Sequence, residues 1–222
     1  MSFSNHLRKL AQPVWDAQLT HPFVVALGKG TLAERKFRYY ILQDARFLAD
    51  LARVFAAGSL RAPDSESALR FAKLAEETIT VERSLHENYG KRWKLSPHDM
   101  LNEPMAPTHY AYTRHMLAVA QGGTATEIAV VALPCAWIYC VVGKHFLKNG
   151  PPPAKHPYRD WLMLYASPEF EAVQEWMRAR VDTWARTAGH EEKKRMEQAF
   201  LISSKYEWMF WEMAWNEEKW PV

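Results

Sequence analysis

Cys135, Asp44 and Glu207 are the three side chains whose types and settings in this sequence could carry covalent chemistry. Cys135 stands in Leu133-Pro134-Cys135-Ala136-Trp137-Ile138-Tyr139, directly after a proline inside an otherwise helical run. Proline has no N–H to donate and its ring clashes with the turn before it, so the helix is expected to bend or open there, leaving a thiol placed to react. A cysteine without a redox partner is also among the residue types most often simply buried, and that plain reading stands beside the nucleophilic one. Tyr139 is four residues on and shares the Cys135 face, whereas Cys140 is turned away by about 100°.

Asp44 falls where the 3.6-residue period between Ile41 and Leu48 calls for a hydrophobe, and Glu207 does the same on the face made by Ser203, Phe210 and Ala214. Burying a carboxylate costs free energy unless it is paired or hydrogen-bonded, so each position needs an explanation. For Asp44 the structural explanation is a buried Arg, Lys or tyrosine hydroxyl as partner. The functional one is an aminopyrimidine or other amidine-like edge, offering hydrogen bonds from two adjacent nitrogens. A glutamate walled by aromatic rings is expected to titrate high enough to hold a proton near neutrality and act as a general acid, or else to be a hydrogen-bonded structural residue. Glu212 points elsewhere and is expected in solvent.

These residues must be positioned by helices, because the apolar periodicity is helical throughout and no stretch alternates over strand length. The expected elements are a first helix from about Ser4 to Leu19 with Pro13 as a kink, and a short one near Phe23 to Leu27. A long helix from Leu32 to Gly58, capped by Thr31, and one of about 25 residues after Asp64 follow. A proline-marked connection containing Ser96-Pro97, Pro104 and Pro107 leads to a helix from Thr108 to Ala120. Thr124-x-x-Glu127 has the form of a capping box opening the Cys135 helix, which stops at Asn149-Gly150. Helices near Tyr158–Tyr165, Ser167–Thr187 and His190–Glu217 complete an all-α, single-domain helical bundle over residues 1–222.

Composition narrows the function classes. With 48% hydrophobic and 24% charged residues the chain has globular composition, and no charge-free run of about 18 apolar residues is long enough to span a bilayer. The net charge of +3 comes from 28 basic and 25 acidic residues interspersed along the chain, which leaves no basic footprint for nucleic acid. Two cysteines five apart on one helix are poorly placed for a disulfide, and the first residues lack a secretory signal, so the cytoplasm is expected. None of the nine histidines has a Glu three residues before it, which disfavours a di-iron bundle. Haem would need an axial ligand such as His21, His86 or His109, and a lone histidine is more often structural; no metal and no cofactor are expected.

The segments Gln43-Asp44-Ala45-Arg46-Phe47-Leu48, Leu133-Pro134-Cys135-Ala136-Trp137-Ile138-Tyr139 with Gly143, and Ser203-x-x-Tyr206-Glu207-x-x-Phe210-Trp211-x-Met213-Ala214 together resemble the thiaminase II (TenA) family, from the first helix to the last. The resemblance implies a haem-oxygenase-like fold without haem, a homotetramer, and hydrolysis of the small molecule 4-amino-5-aminomethyl-2-methylpyrimidine to its 5-hydroxymethyl counterpart with release of ammonia. Thiamin itself would be split to the same pyrimidine and its thiazole. By the same resemblance Cys135 is the nucleophile, Asp44 grips the aminopyrimidine edge and Glu207 protonates the departing amine. Phe47, Tyr112, Tyr139 and Tyr165 would line the substrate pocket. Ala45 stands where a tyrosine is often found and Phe47 where tyrosine or phenylalanine is usual, which bears on the polarity of the pocket wall. A pyrimidine-binding protein without turnover and an indirect regulator are the other readings of the same residues.

Overall fold

Ser2, Asp64, Ser96, Thr124 and Ser167 mark helix starts with oxygen-bearing side chains that satisfy N–H groups the first turn cannot pair internally. A computed structural model describes the backbone of all 222 residues and every side chain except those of residues 81–87, 97 and 101. Among the described residues there are eleven helices and no strand: α1 Phe3–Leu10, α2 Gln12–Thr20, α3 Pro22–Lys29, α4 Glu34–Arg61, α5 Ser65–Arg92, α6 Pro97–Leu101, α7 Pro107–Gly122, α8 Ala125–Leu147, α9 Arg159–Tyr165, α10 Pro168–Trp184 and α11 His190–Asn216. His86, one of the haem-ligand candidates, lies outside the described side chains.

Three local expectations are corrected. The first helix is two, parted at Ala11, because Pro13 occupies the opening turn of α2, where its missing N–H does no harm. Thr31 does not cap α4: the N-cap is Ala33 with no side-chain bond, and the Thr31 hydroxyl donates to the Ala26 carbonyl at 3.4 Å. The proline-rich connection holds a further helix, α6. Ser96 accepts from the Asp99 N–H at 3.2 Å while Asp99 accepts from the Ser96 N–H at 2.9 Å, a capping box that the sequence displays as Ser-x-x-Asp. The box expected at Thr124 and Glu127 forms, with reciprocal bonds of 2.7 and 3.2 Å.

The chain divides into two compact units. The first comprises Met1–Leu32 and Ala129–Met209. Its core includes Leu7, Trp15, Phe23, Leu27, Leu133, Trp161, Met177 and Phe200, all nearly inaccessible to water. In it the Ser4 N–H and hydroxyl both bond the Asp182 carboxylate, at 2.6 and 3.0 Å, which fastens α1 to α10. The second unit comprises Ala33–Ile128 and Phe210–Val222. Here α4 packs along α5, and Gly58 lets the Phe71 ring approach so closely that a Cβ would lie 2.8 Å from it. The Arg61 guanidinium closes the end of α7 by donating to the carbonyls of Ala120 (2.7 Å), Gly123 (2.6 Å) and Gln121.

By length and hydropathy α8 could cross a bilayer, yet 89% of its most apolar 18-residue window is buried within the protein, as in a core helix.

Candidate active site

In the first unit, α8 runs on through Pro134 instead of ending there. From Ala125 to Cys140 every residue of α8 is buried except one, Cys135, which is partly exposed. The rotation of α8 that brings this about is set on its other side. Trp137, about 200° around the helix from both Cys135 and Tyr139, meets Trp15 edge-on at 5.0 Å and Phe200 at 6.5 Å. The Arg178 guanidinium also covers it, 4.1 Å from the ring centre. Cys140 shows the contrast: it is 3% exposed, and burial pushes its thiol above the usual range, so it is the less reactive of the two.

Tyr139, one turn after Cys135, joins a cluster of aromatic rings. Its ring lies 4.8 Å from that of Tyr165 and 5.7 Å from that of Trp161, and Tyr165 in turn meets Phe170 at right angles, 4.8 Å away. Two of the three tyrosines expected to line a pocket, Tyr139 and Tyr165, are therefore side by side. Gly143 makes this possible. A Cβ at that position would lie 2.7 Å from both the Tyr165 carbonyl carbon and the Ala166 nitrogen, and these are backbone atoms that cannot rotate aside. Gly143→Ala is expected to cost about 1–3 kcal/mol through overpacking and to lower the midpoint of urea unfolding; an unchanged midpoint would mean that α9 yields without cost.

Glu207 is 2% exposed, and α11 is held on both sides of it. One turn earlier Ser204 accepts from the Trp15 indole N–H at 3.0 Å, and its carbonyl accepts from the Gln18 amide at 3.3 Å. Immediately after it, Trp208 meets the His21 ring edge-on at 5.2 Å. These contacts fix the height and rotation of α11 and so the place of the carboxyl group. Glu212, read from the sequence as solvent-facing, is half-buried and accepts from Asn216 at 2.8 Å. The first unit thus carries a partly exposed cysteine, a buried carboxyl group and tyrosine hydroxyls, groups suited to nucleophilic addition and proton transfer.

The second unit holds Asp44, Phe47 and Tyr112, which are 3%, 3% and 0% exposed. Asp44 and Phe47 are one turn apart on α4, and the Phe47 ring lies 5.1 Å from Tyr112 on α7 and 5.5 Å from Phe210. A buried carboxylate next to flat aromatic surfaces suits a planar ring that donates hydrogen bonds along one edge.

Gln43 and His109 are the residues whose place in the second unit was not read from the sequence. The Gln43 amide donates to the Pro104 carbonyl at 2.9 Å, while its oxygen receives the Ala106 N–H at 3.0 Å and lies 2.8 Å from His109 Nδ1. An amide oxygen can only accept, so His109 carries its proton on Nδ1. Burial, reinforced by Arg46 nearby, lowers the His109 pKa to about 4, so the ring is neutral at ordinary pH. In the sequence His109 is read only as one of three possible haem ligands, with a structural role the more usual one for a lone histidine. The other haem-ligand candidate described, His21, caps α3 by accepting from the Phe23 N–H at 3.1 Å. Among the described residues no three His, Cys, Asp or Glu side chains gather as a metal-binding group.

Residues 8–217 match the model of the TENA/THI-4/PQQC family. Among curated proteins, the chain is 40% identical over 221 residues to the aminopyrimidine aminohydrolase of Halalkalibacterium halodurans, covering 99% of this chain and 98% of the relative. Among solved structures it superposes on a TenA homologue from P. horikoshii with a TM-score of 0.87 and 32% identity, covering 97% of this chain and 99% of the other. A domain from Shewanella denitrificans described as having a haem-oxygenase-like fold aligns over 98% of this chain and 93% of its own with a TM-score of 0.75 at 12% identity, which supports the expected fold and nothing more. With the family match covering nearly the whole length, the chain belongs to the TENA/THI-4/PQQC family.

Proposed function

We propose that this protein is an aminopyrimidine aminohydrolase of thiamin salvage, converting 4-amino-5-aminomethyl-2-methylpyrimidine and water to the 5-hydroxymethyl pyrimidine and ammonia. The observation that carries the reading is the selective exposure of Cys135 in an otherwise buried stretch of α8. It is supported by the buried carboxyl groups of Asp44 and Glu207 and by the activity named for the bacterial relative.

In this reading Asp44 grips the aminopyrimidine edge and favours the protonated, electron-poor ring. The Cys135 thiolate adds to that ring, a C–S bond forms and aromaticity is lost. Electrons then expel the amine from the 5-methylene carbon, with Glu207 supplying the proton that lets it leave as ammonia. Water adds to the exposed methylene, helped by Glu207, and loss of the thiolate restores the ring. Phe47, Tyr112, Tyr139 and Tyr165 hold the pyrimidine. Thiamin enters the same sequence with its thiazole as the leaving group.

The reading assigns the enzyme to the cytoplasm, in keeping with two cysteines five apart on one helix, where a disulfide has no suitable geometry. It also assigns a homotetramer, for which the exposed Leu60 and Leu69, at 85% and 71%, offer apolar surface.

The test is ammonia release from the aminomethyl pyrimidine by the wild-type protein, with thiamin run in parallel. Steady turnover of the pyrimidine is expected. Binding without turnover of either compound would replace this reading with that of a pyrimidine-binding protein.

A further inference from the structure

His109 is fully buried, and its Nε2 has no hydrogen-bond partner among the described residues. Gln43 makes this consequential. By holding the proton on Nδ1 it leaves Nε2 as a lone pair, and the geometry of imidazole turns that lone pair away from Gln43. The ring stands 6.2 Å from Phe47 and 6.1 Å from Phe210, with Phe47 also against Tyr112. A buried acceptor without a donor is costly, and nearly all buried polar groups have partners. Here the acceptor belongs to a ring beside Phe47, which is assigned to the substrate, on a side chain held in place by the three hydrogen bonds of the Gln43 amide.

We propose that His109 is a further substrate-binding residue whose Nε2 accepts a hydrogen bond from the exocyclic ring amino group of a bound aminopyrimidine. This rests on the function proposed above. The amino group has two N–H bonds, so it serves Asp44 with one and His109 with the other. A neutral acceptor suits the task, since an imidazolium would repel the protonated ring that Asp44 favours. The contact selects for a ring amine over a ring carbonyl, because a carbonyl would face the lone pair with one of its own.

The test compares two variants. His109→Asn keeps an N–H directed at Gln43 and removes the acceptor at the Nε2 position, whereas His109→Gln places an amide oxygen near that position. Three readings are taken: KM for the aminomethyl pyrimidine, Kd for the 5-hydroxymethyl product by calorimetry, and Tm. Substrate and product share the ring amino group, so His109→Asn is expected to raise both KM and Kd about tenfold, with His109→Gln recovering part of the loss. Unchanged KM and Kd with a lowered Tm would overturn the proposal in favour of a structural histidine bonded to water. Weakening confined to the substrate would overturn it too, by moving the contact to the aminomethyl group. A wild type that binds the product but releases no ammonia would sink the hydrolase reading while the Kd series still decides the role of His109.

Discussion

Cys135→Ser is expected to abolish ammonia release, lowering kcat by about 10³-fold or more, as removal of a covalent nucleophile does. A serine hydroxyl is almost wholly protonated at neutral pH and its alkoxide is scarce, whereas a thiol supplies a usable fraction of thiolate. The two side chains are close in size and Cys135 is only partly buried, so the variant should fold with its stability changed by about 1 kcal/mol or less. Asp44, to which the proposed function assigns the aminopyrimidine edge, is untouched. Binding of the pyrimidine, measured by calorimetry, should therefore stay within a few-fold of wild type. Cys140→Ser serves as the comparison, because that thiol is buried and its pKa is raised. If Cys135→Ser turns over at the wild-type rate, the thiol is not the nucleophile and the addition mechanism is wrong.

The second large effect is at Glu207. Glu207→Gln preserves shape and hydrogen-bonding capacity but cannot transfer a proton, and kcat for the aminomethyl pyrimidine should fall by about 10²–10⁴-fold. The diagnostic is the dependence on leaving group. An amine must gain a proton to depart as ammonia, whereas the thiazolium of thiamin departs as a neutral thiazole without one. Thiamin cleavage should then lose less than ammonia release, keeping only the part of the loss that belongs to water activation. Equal losses on both substrates would assign Glu207 to water alone. No loss on either would make it a structural carboxyl group, and then Tm, not kcat, should record the substitution.

The two buried carboxyl groups mark how far sequence alone reaches. Asp44 and Glu207 stood out because each breaks an apolar period on a long helix, and both prove to be almost fully buried. The capping boxes at Thr124 and Ser96 are equally local, and both form, although the second was passed over because the prolines around it read as a connection. The missed cap at Ala33 shows the limit of such signals: Thr31 had the right chemistry but bonded backward to Ala26, where α3 ends at a left-handed Gly30.

By itself the sequence determined the helical class, the near-complete set of helices and which side chains break their apolar faces, because helix periodicity and capping act over three to seven residues. The tertiary structure alone decided which of two cysteines reaches solvent, why Gly143 must lack a side chain, and which nitrogen of His109 holds its proton. These depend on partners far apart in the chain: Trp15 with Ser204, 189 residues away, and Gln43 with His109, 66 away. No local pattern encodes such meetings. They arise when many weak apolar contacts close together and fix the rotation of each helix about its axis.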